Sequence, residues 1–472
     1  MTRTLRLTLL LLLGSLLVSP AYCLPSLQLF IDLTPLGTTL RPPAGTYRGP
    51  IIISRQITLD GQGVVTIDGG GKGTVLTVKA DNTVIRGLHL TNSGESHNAL
   101  DAGLQLNANN VTFEQNTLDN VLFGINIHQG NDNTIRGNRI SSKPVVSSLR
   151  GEGIRLWYSR NNHIEENEII GVRDLLLTNS ADNHIIGNRL QNNRISMEFI
   201  FSPGNEIRGN HIGNNDTGIV AIYSDELDIR DNRIEHIRNT GSSALAIKES
   251  SQVAIVNNEI VHNAVGLTAN SPIHPENILY IRNNHFTYNN IAIYFYGEKG
   301  GHIIHNNHFD NNLMSVAVSA PISARYNDWR NNHWDNYEGF DLDGNHIGDL
   351  PHDIYLYADR IWMDRPTTQF FRSTPTMEFI DFIERLAPFS DPELILSDPA
   401  PPHTLTCAAA YAGAILCLSI RTSIEGVSCN TRTSQIKNSA SHAKSRSTKT
   451  PLSAPTAPLR STRANGTISL SP

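Results

Sequence analysis

The chain has 472 residues, of which 39% are hydrophobic and 17% charged, with a formal net charge of −6 at pH 7. Leaving out two arginines before residue 24, and eight basic residues and one acid after residue 401, the remaining chain carries a net charge of −15. This acidity argues against a nucleic-acid-binding protein. The same part contains no cysteine, which excludes a disulfide-stapled scaffold.

Residues 1–23 have the pattern of a signal peptide. Arg3 and Arg6 precede a largely apolar run over residues 9–18, and small residues surround the expected cleavage site near Cys23. We therefore predict an exported mature protein that begins at Leu24.

Residues 24–80 alternate β-branched residues with glycine and proline corners, as in LRPPAGTYRGPIIISRQITLDGQG. This alternation predicts short strands joined by tight turns. We interpret the segment as an N-terminal cap with the first coils of a larger repeat.

Residues 81–335 repeat one short phrase every twenty-odd residues: an apolar residue, an asparagine three positions later and a second apolar residue two positions after that. Repeats of this length form stacked solenoids, and an apolar alternation of two predicts strands. The predicted fold is therefore an all-β, right-handed parallel β-helix with coils of about 20–29 residues. The asparagine column is Asn116, Asn138, Asn167, Asn188, Asn210, Asn232, Asn258, Asn284, Asn307 and Asn332.

The asparagine column is predicted to be structural. Stacked amides can hydrogen-bond from coil to coil, each bond contributing about 0.5–1.5 kcal/mol. Because asparagine tolerates the left-handed conformation, we expect these residues to form the corners.

Residues 336–401 depart from the repeat and are predicted to be a C-terminal cap or docking element that contains a short helix. Thr374 is the expected N-cap, followed by Pro375 and an apolar stripe to Leu386. Residues 402–472 are rich in Ser, Thr, Lys and Arg and are predicted to be disordered.

Four segments resemble the NosD family, which is classed with the CASH-type parallel β-helix domains. They are LRPPAGTYRGPIIISRQITLDGQG, GEGIRLWYSRNNHIEENEI, GNDNTIRGNRI with its repeats, and NNHWDNYEGFDLDGNHIGDLPHDIY. The resemblance implies a periplasmic, non-enzymatic protein that supports assembly of the copper-sulfide centre of nitrous-oxide reductase. It also implies three partners: an ABC transporter, a membrane copper chaperone and the reductase itself.

Histidines near the end of the repeat form a candidate copper site. His285, His308 and His333 each follow a column asparagine on three successive coils, and His302 and His305 lie nearby. Imidazoles one coil apart could share a borderline cation such as copper, held transiently. The alternative is a solvated polar ladder, because arginine and glutamate fill the same column in other coils.

Two further features are candidate sites. A loop with oxygen-bearing side chains at alternate positions resembles a calcium loop, with a turn closed by its own side chains as the alternative. An apolar and aromatic stripe is a candidate partner surface. The loop residues are Asp341, Asp343, Asn345 and Asp349, and the stripe residues are Trp157, Tyr158, Ile200, Phe201, Ile222, Tyr223, Trp329, Trp334 and Tyr337.

An alternative function is a carbohydrate-binding or carbohydrate-modifying β-helix. It requires an aromatic platform beside a cluster of acids in one groove. No repeated column of acids forms such a cleft in the sequence, so we predict that the protein is not an enzyme.

Overall fold

The computed structural model describes residues 26–270, 278–297, 300–320, 322–356 and 393–402, with positions 374, 375, 379, 382 and 383. The predicted signal peptide, most of the predicted helix after Thr374 and the tail beyond residue 402 lie outside these residues. All described residues belong to the unit of the chain that ends at Thr404. Among them, no helix has the length and apolar character needed to cross a membrane.

Short strands follow one another along the described chain. The first twelve are β1 (Thr39–Leu40), β2 (Gly45–Arg48), β3 (Ile51–Ile53), β4 (Thr58–Asp68), β5 (Leu76–Val78), β6 (Val84–Thr91), β7 (Ala102–Leu106), β8 (Thr112–Glu114), β9 (Thr117–Val121), β10 (Phe123–His128), β11 (Thr134–Arg136) and β12 (Arg139–Ser142). The next twelve are β13 (Ile154–Trp157), β14 (His163–Glu165), β15 (Glu168–Ile170), β16 (Leu175–Thr178), β17 (His184–Ile186), β18 (Arg189–Gln191), β19 (Ile195–Ile200), β20 (Glu206–Arg208), β21 (His211–Gly213), β22 (Thr217–Ile222), β23 (Asp228–Arg230) and β24 (Arg233–Glu235).

The remaining strands complete the stack and add an antiparallel pair. They are β25 (Ser243–Lys248), β26 (Val253–Val256), β27 (Glu259–Val261), β28 (Val265–Asn270), β29 (Leu279–Arg282), β30 (His285–Thr287), β31 (Ile291–Tyr296), β32 (Ile303–His305), β33 (His308–Asp310), β34 (Met314–Val318), β35 (Asp328–Arg330), β36 (His333–Trp334), β37 (His352–Leu356) and β38 (Glu393–Asp398). The helical elements are α1 (Leu27–Leu33), a 3-10 turn (Ser147–Leu149) and α2 (Ile322–Arg325).

The strands form three parallel faces, and the chain passes through all three in each coil. Face 1 contains the twelve strands β3, β5, β7 and every third strand from β10 to β34. Face 2 runs through every third strand from β8 to β35, and face 3 through every third strand from β9 to β36. The long strands β4 and β6 each cover both face 2 and face 3. The predicted parallel β-helix is confirmed.

The interior follows from strand alternation, because side chains of one strand point alternately in and out. In face 1, Leu175 pairs with Ile154 of the preceding coil and with Met197 of the next, and all three are fully buried. One continuous apolar core runs from Leu27 to Leu396. Fully burying each such side chain stabilises the fold by about 1.5–3 kcal/mol.

The ten column asparagines lie at the corner between face 2 and face 3 and are buried. In Asn188, the backbone N–H and the side-chain Nδ2 both donate to Oδ1 of Asn210, at 2.8 and 3.1 Å, and Nδ2 also donates to Ile164 O. The bonds between asparagines therefore run towards the C-terminal coil, whereas the bond to Ile164 O runs to the preceding coil. The expectation that these asparagines adopt the left-handed conformation is wrong: the residue before each of them does so, for example Gly187 and Gly209.

The N-terminal end of the stack is closed by α1. Leu27 and Ile31 lie one helical turn apart and are buried against the first coil. Gln28 donates Nε2 to Ile52 O and accepts from Ile52 N, both at 2.9 Å. This side chain thus satisfies the outer edge of β3, the first strand of face 1.

The C-terminal end of the asparagine column is closed by the antiparallel pair of strands β37 and β38. Asp398 of β38 is fully buried, and its Oδ2 accepts from Asn332 N at 3.0 Å, Asn332 Nδ2 at 2.9 Å and Trp334 Nε1 at 3.2 Å. Its Oδ1 accepts from Asn331 N at 3.2 Å. A carboxylate therefore takes the place that the next coil's asparagine would occupy.

Candidate metal centre and partner surface

His285, His308 and His333 lie in register on face 3 and are called the histidine column. His285 pairs with His308, and His308 with His333, at the first positions of β30, β33 and β36. The residues that follow them, Phe286, Phe309 and Trp334, are buried. Strand alternation therefore turns the three imidazoles outward.

An aromatic stack inside the coil fixes the spacing of the histidine column. Phe309 lies 5.3 Å from Phe286 and 4.4 Å from Trp334 between ring centroids. Outside, the ring of His308 lies 4.5 Å from that of His285, almost parallel, and 5.2 Å from that of His333. The three rings are thus stacked one coil apart on a rigid base.

Asp310 adds a carboxylate to this face, which the sequence analysis missed. It lies two residues after His308, so its side chain points to the same side of the strand, and its Oδ1 is 3.2 Å from Nδ1 of His333. One ligand atom each from His308, Asp310 and His333 lie within 4.8 Å of one another. Among the described residues this is the one group of three His, Cys, Asp or Glu residues with such spacing.

The electrostatics of the group favour metal binding. Partial burial lowers the pKa of His308, and the neighbouring His285 and His333 lower it further, while Asp310 acts in the opposite direction. His308 is therefore neutral at pH 7, as a metal ligand must be. Two imidazoles and one carboxylate form a donor set that suits borderline divalent ions such as copper and zinc.

The structure separates the two other candidate histidines from the column. His302 is 1% exposed, its Nδ1 accepts from Leu279 N at 3.2 Å, and its ring stacks on Phe295 inside the coil. Burial lowers its pKa to about 4. His305 faces outward on face 2 and lies 3.1 Å from Asp328. Neither belongs to the metal group.

The predicted partner stripe is only partly exposed. Tyr158, Phe201 and Tyr223 occupy left-handed corners and are 53%, 53% and 51% exposed. Phe201 and Tyr223 stack with ring centroids 5.2 Å apart. We call these three residues the aromatic ridge; the coil between Tyr158 and Phe201 interrupts it with Asn179, also a left-handed corner residue.

The other residues of the stripe lie deeper. Trp157, Ile200 and Ile222 are half-buried on the outer side of face 1. Trp329 and Trp334 are buried in the core at 2% and 3% exposure, so assigning them to a partner surface was wrong. Trp334 extends the phenylalanine stack to the last coil, and Trp329 meets the ring of Phe295 edge to face at 6.1 Å. The hydroxyl of Tyr337 donates to Leu350 O at 2.7 Å.

The loop that resembles a calcium site is closed by its own side chains. Asp341 Oδ1 accepts from Gly344 N at 2.8 Å, and its Oδ2 accepts from His346 N at 2.9 Å. Asp349 Oδ2 accepts from Leu342 N at 2.6 Å, and Asn345 Oδ1 from Ile347 N at 2.7 Å. The oxygens thus point at backbone donors within the loop, as in Asx turns.

A charged cluster on the outer side of face 1 also escaped the sequence analysis. Fully buried Asp174 accepts from Arg194 Nη2 at 3.1 Å and Arg173 Nε at 3.3 Å, and Arg173 also pairs with Glu152. Burial raises the pKa of Glu152 and of Asp174. No repeat signal marks the cluster, because its members occupy different columns. They are Glu152, Arg155, Arg173, Asp174, Arg194 and Glu198.

The charged cluster lies next to an aromatic side chain, since Arg155 covers the ring of Trp157 at 4.8 Å. An aromatic platform beside acids is what the carbohydrate alternative requires. Two of the acids, Glu152 and Asp174, are already engaged by arginines, however. This arrangement favours a buried ion-pair network over an open sugar site.

Residues 136–339 match the family model described as periplasmic copper-binding protein (NosD). The chain contains a NosD domain. That domain includes the histidine column, Asp310, the aromatic ridge and the charged cluster. The matched segment begins at Arg136, the last residue of β11, and ends shortly after β36, the last strand of the stack.

Two curated relatives carry the same name, probable ABC transporter binding protein NosD. The protein of Pseudomonas aeruginosa is 29% identical over 134 residues, which are 28% of this chain and 31% of the relative. The protein of Stutzerimonas stutzeri is 24% identical over 361 residues, which are 74% of this chain and 83% of the relative. Both relatives are thus named as binding proteins rather than as enzymes.

Solved structures overlap only partly with the chain. The catalytic domain of a GH87 α-1,3-glucanase has a TM-score of 0.47 at 13% identity, covering 63% of this chain and 64% of that one. The A-module of mannuronan C-5 epimerase AlgE6 of Azotobacter vinelandii has a TM-score of 0.39 at 16% identity, covering 60% and 87%. No activity carries over from overlaps of this kind.

Proposed function

We propose that this protein is a periplasmic accessory protein for the maturation of nitrous-oxide reductase. It is not an enzyme; it handles copper, or docks the partners that do, during assembly of the copper-sulfide centre of the reductase. The observation that carries this proposal is the group of His308, Asp310 and His333 on the surface of the NosD domain. The copper-binding description of the family supports it.

The exposed position of the group suits a protein that passes its metal on. His308 and His333 would supply nitrogen ligands and Asp310 an oxygen ligand. His285 presents a further imidazole on the adjacent coil. A copper ion held there as cargo would remain accessible to the ligands of a partner, since the whole set faces outward on face 3.

The relatives and the surface support part of the proposed set of partners. The name of the relatives, ABC transporter binding protein, supports an ABC transporter as one partner. A membrane copper chaperone and nitrous-oxide reductase complete the proposed set. We assign docking to the aromatic ridge, because exposed stacked aromatic rings are typical of the anchor residues of interfaces.

Copper titration of the purified chain tests this function. Cu(I) and Cu(II) are titrated separately against a chromophoric chelator, with the parent and with the double variant His308→Asn, His333→Asn. We expect one ion per chain for the parent and none for the double variant. The matched control is His211→Asn, because His211 lies in the same face 3 column but pairs with Glu235 at 2.9 Å.

Each outcome separates the alternatives. Equal binding by the parent and the double variant would place the copper elsewhere. No binding by the parent would overturn the metal site and leave docking as the proposed role. Loss of binding in the control as well would mean that the column acts through the stability of face 3.

A further inference from the structure

The two ends of face 1 are closed differently. At the N-terminal end, Gln28 donates to and accepts from the backbone of Ile52, so the outer edge of β3 is paired. At the C-terminal end, β34 pairs with β31 on one side. No strand of the described chain pairs with its other side. An open strand edge is a template for another polypeptide.

The register shows which backbone groups are open. In β10, the N–H groups of Gly124 and Ile125 donate to Glu152 O and Gly153 O of the following coil, both at 2.9 Å. The strand pairings place Ile125 of β10 and Val316 of β34 in the same column, which has one residue in each of nine coils. Ser315 and Val316 thus hold the corresponding N–H groups, and within the described residues no further coil follows β34.

A cavity of about 800 Å³ lies against this open edge. Residues of β34 form one side, and β37 with Tyr337 forms another. The apolar side chains of Leu313, Met314 and Ile354 contribute to its lining. The cavity is therefore bounded by a strand edge and by surfaces on which side chains of an added strand could pack.

The charge of the cavity is negative. Asp335, Glu338 and Asp353 line it and are exposed, and the described lining contains no lysine or arginine. His352 adds no positive charge, because burial lowers its pKa. Three carboxylates beside an open strand edge select a cationic occupant.

We propose that the open edge of β34 binds an extended, basic segment of a partner protein, which adds to face 1 as a further strand. Strand addition would pair the open backbone groups of Ser315 and Val316. Lysine or arginine side chains on alternate positions would face Asp335, Glu338 and Asp353, and the apolar positions between them would face Met314 and Ile354. Asp335 stands two residues after His333 of the histidine column, whereas Glu338, Asp353 and the edge of β34 lie outside that column.

The test uses a synthetic probe with the full chain. The probe is an acetylated and amidated octapeptide of alternating lysine and valine, compared with the same peptide N-methylated at alternate residues and with a glutamate–valine version. By isothermal titration we expect binding of the first peptide, and a loss of at least tenfold in affinity for each of the others. Hydrogen exchange should show protection of residues 314–318 by the first peptide alone.

Variants of the lining test whether the peptide binds at the open edge of β34. Glu338→Gln with Asp353→Asn should weaken the lysine–valine peptide at least fivefold, whereas Glu226→Gln, an exposed acid at a distant corner, should not. Ser315→Pro removes one open donor and should weaken binding without changing the circular dichroism spectrum. If Ser315→Pro does not fold, the N-methylated peptide still tests the same hydrogen bonds.

Three results would overturn the proposal. Absence of binding of the lysine–valine peptide at millimolar concentration would show that the edge is not available. Equal affinity for the N-methylated peptide would leave a cation site without strand addition. A dimer in sedimentation that the peptide does not dissociate would make a second copy of this chain the occupant.

Discussion

Single asparagines set the geometry of each coil. Besides the column recognised from the sequence, a second column lies five residues earlier, as in Asn183, and a third five residues later, as in Asn193. Each marks one of the corners of the coil. The spacing of five was present in the sequence, but the second and third columns hold an asparagine in fewer coils than the first.

His302 takes the place of an asparagine in the second column. The strand register aligns it with Asn205 four coils earlier and Asn327 one coil later. Its Nδ1 accepts from Leu279 N, as Asn133 Oδ1 accepts from Val111 N. A histidine near other histidines resembles a metal ligand in sequence, and only its inward position in the coil shows that it is structural.

The buried imidazole should make the stability depend on pH. The pKa of His302 falls from 6.5 to about 4 on folding, so between these pH values the unfolded chain takes up a proton that the folded chain excludes. The free energy of unfolding should fall by about 3 kcal/mol from pH 7 to pH 4 through this residue. Urea unfolding of the parent and of His302→Asn measures it.

The variant isolates this contribution, because all other groups titrate alike in both proteins. His302→Asn keeps an acceptor for Leu279 N and should flatten the curve between pH 6.5 and 4. Parallel curves for the two proteins would contradict the assignment.

At the level of elements, the ends of the stack were harder to predict than its middle. The helix α1 is short and its N-cap makes no side-chain bond, so no helix signal marked it. Trp329 and Trp334 were interpreted as docking residues because they stand in an aromatic, acidic segment. Trp334 is buried because it continues the phenylalanine stack of the preceding coils, and Trp329 because it continues the buried isoleucine column of face 2.

Asp398 is the element-level counterpart of the column asparagines, and it carried no sequence signal because it lies 66 residues after Asn332. Replacing Asp398 with asparagine should lower the free energy of unfolding by about 2–3 kcal/mol. An amide offers one acceptor oxygen and turns its NH₂ group towards backbone donors, and hydrogen bonds to a charged group contribute about 1.5–3 kcal/mol each.

Denaturant unfolding checks this prediction, with hydrogen exchange at Asn331, Asn332 and Trp334 as the local readout. Asp353→Asn on the neighbouring strand is the matched control, because Asp353 is exposed, and it should change stability by less than about 0.5 kcal/mol. An unchanged exchange rate at Asn332 in Asp398→Asn would show that the carboxylate does not close the column.

At the scale of the whole molecule, periodicity predicted the fold and the alignment of the three histidines on successive coils. It could not predict the charged cluster, whose members stand in different columns, or the open edge of β34, which depends on where the chain leaves the stack. Sites that repeat in every coil can be predicted from the sequence. Sites that occur once, formed by residues from separate coils, cannot be predicted in this way.

The repeat makes whole coils interchangeable. Inserting a second copy of residues 189–210 after Asn210 should give a folded protein with one extra coil, because each new junction again joins an asparagine to an outward residue. Small-angle scattering should show a molecule longer by about 4.8 Å, the spacing of neighbouring strands.

A half-coil insertion is the control. A second copy of residues 189–199 alone breaks the register of all three faces, and a shift of register turns buried side chains outward. The variant with the half-coil insertion should not unfold in a cooperative transition. If both insertions behave alike, the coils are not independent units.

The direction of the asparagine bonds has a consequence for how the chain matures. Each column asparagine donates its backbone N–H to the asparagine of the following coil, so during synthesis from the N-terminus the newest coil always carries a backbone donor that has no acceptor yet. The last of these donors is satisfied only when Asp398 has been made. A nascent or cleaved chain that stops short of this residue therefore ends in a coil whose free donors can bond with any exposed carbonyl. Asp398 supplies the acceptors for these donors and so closes the end of the stack.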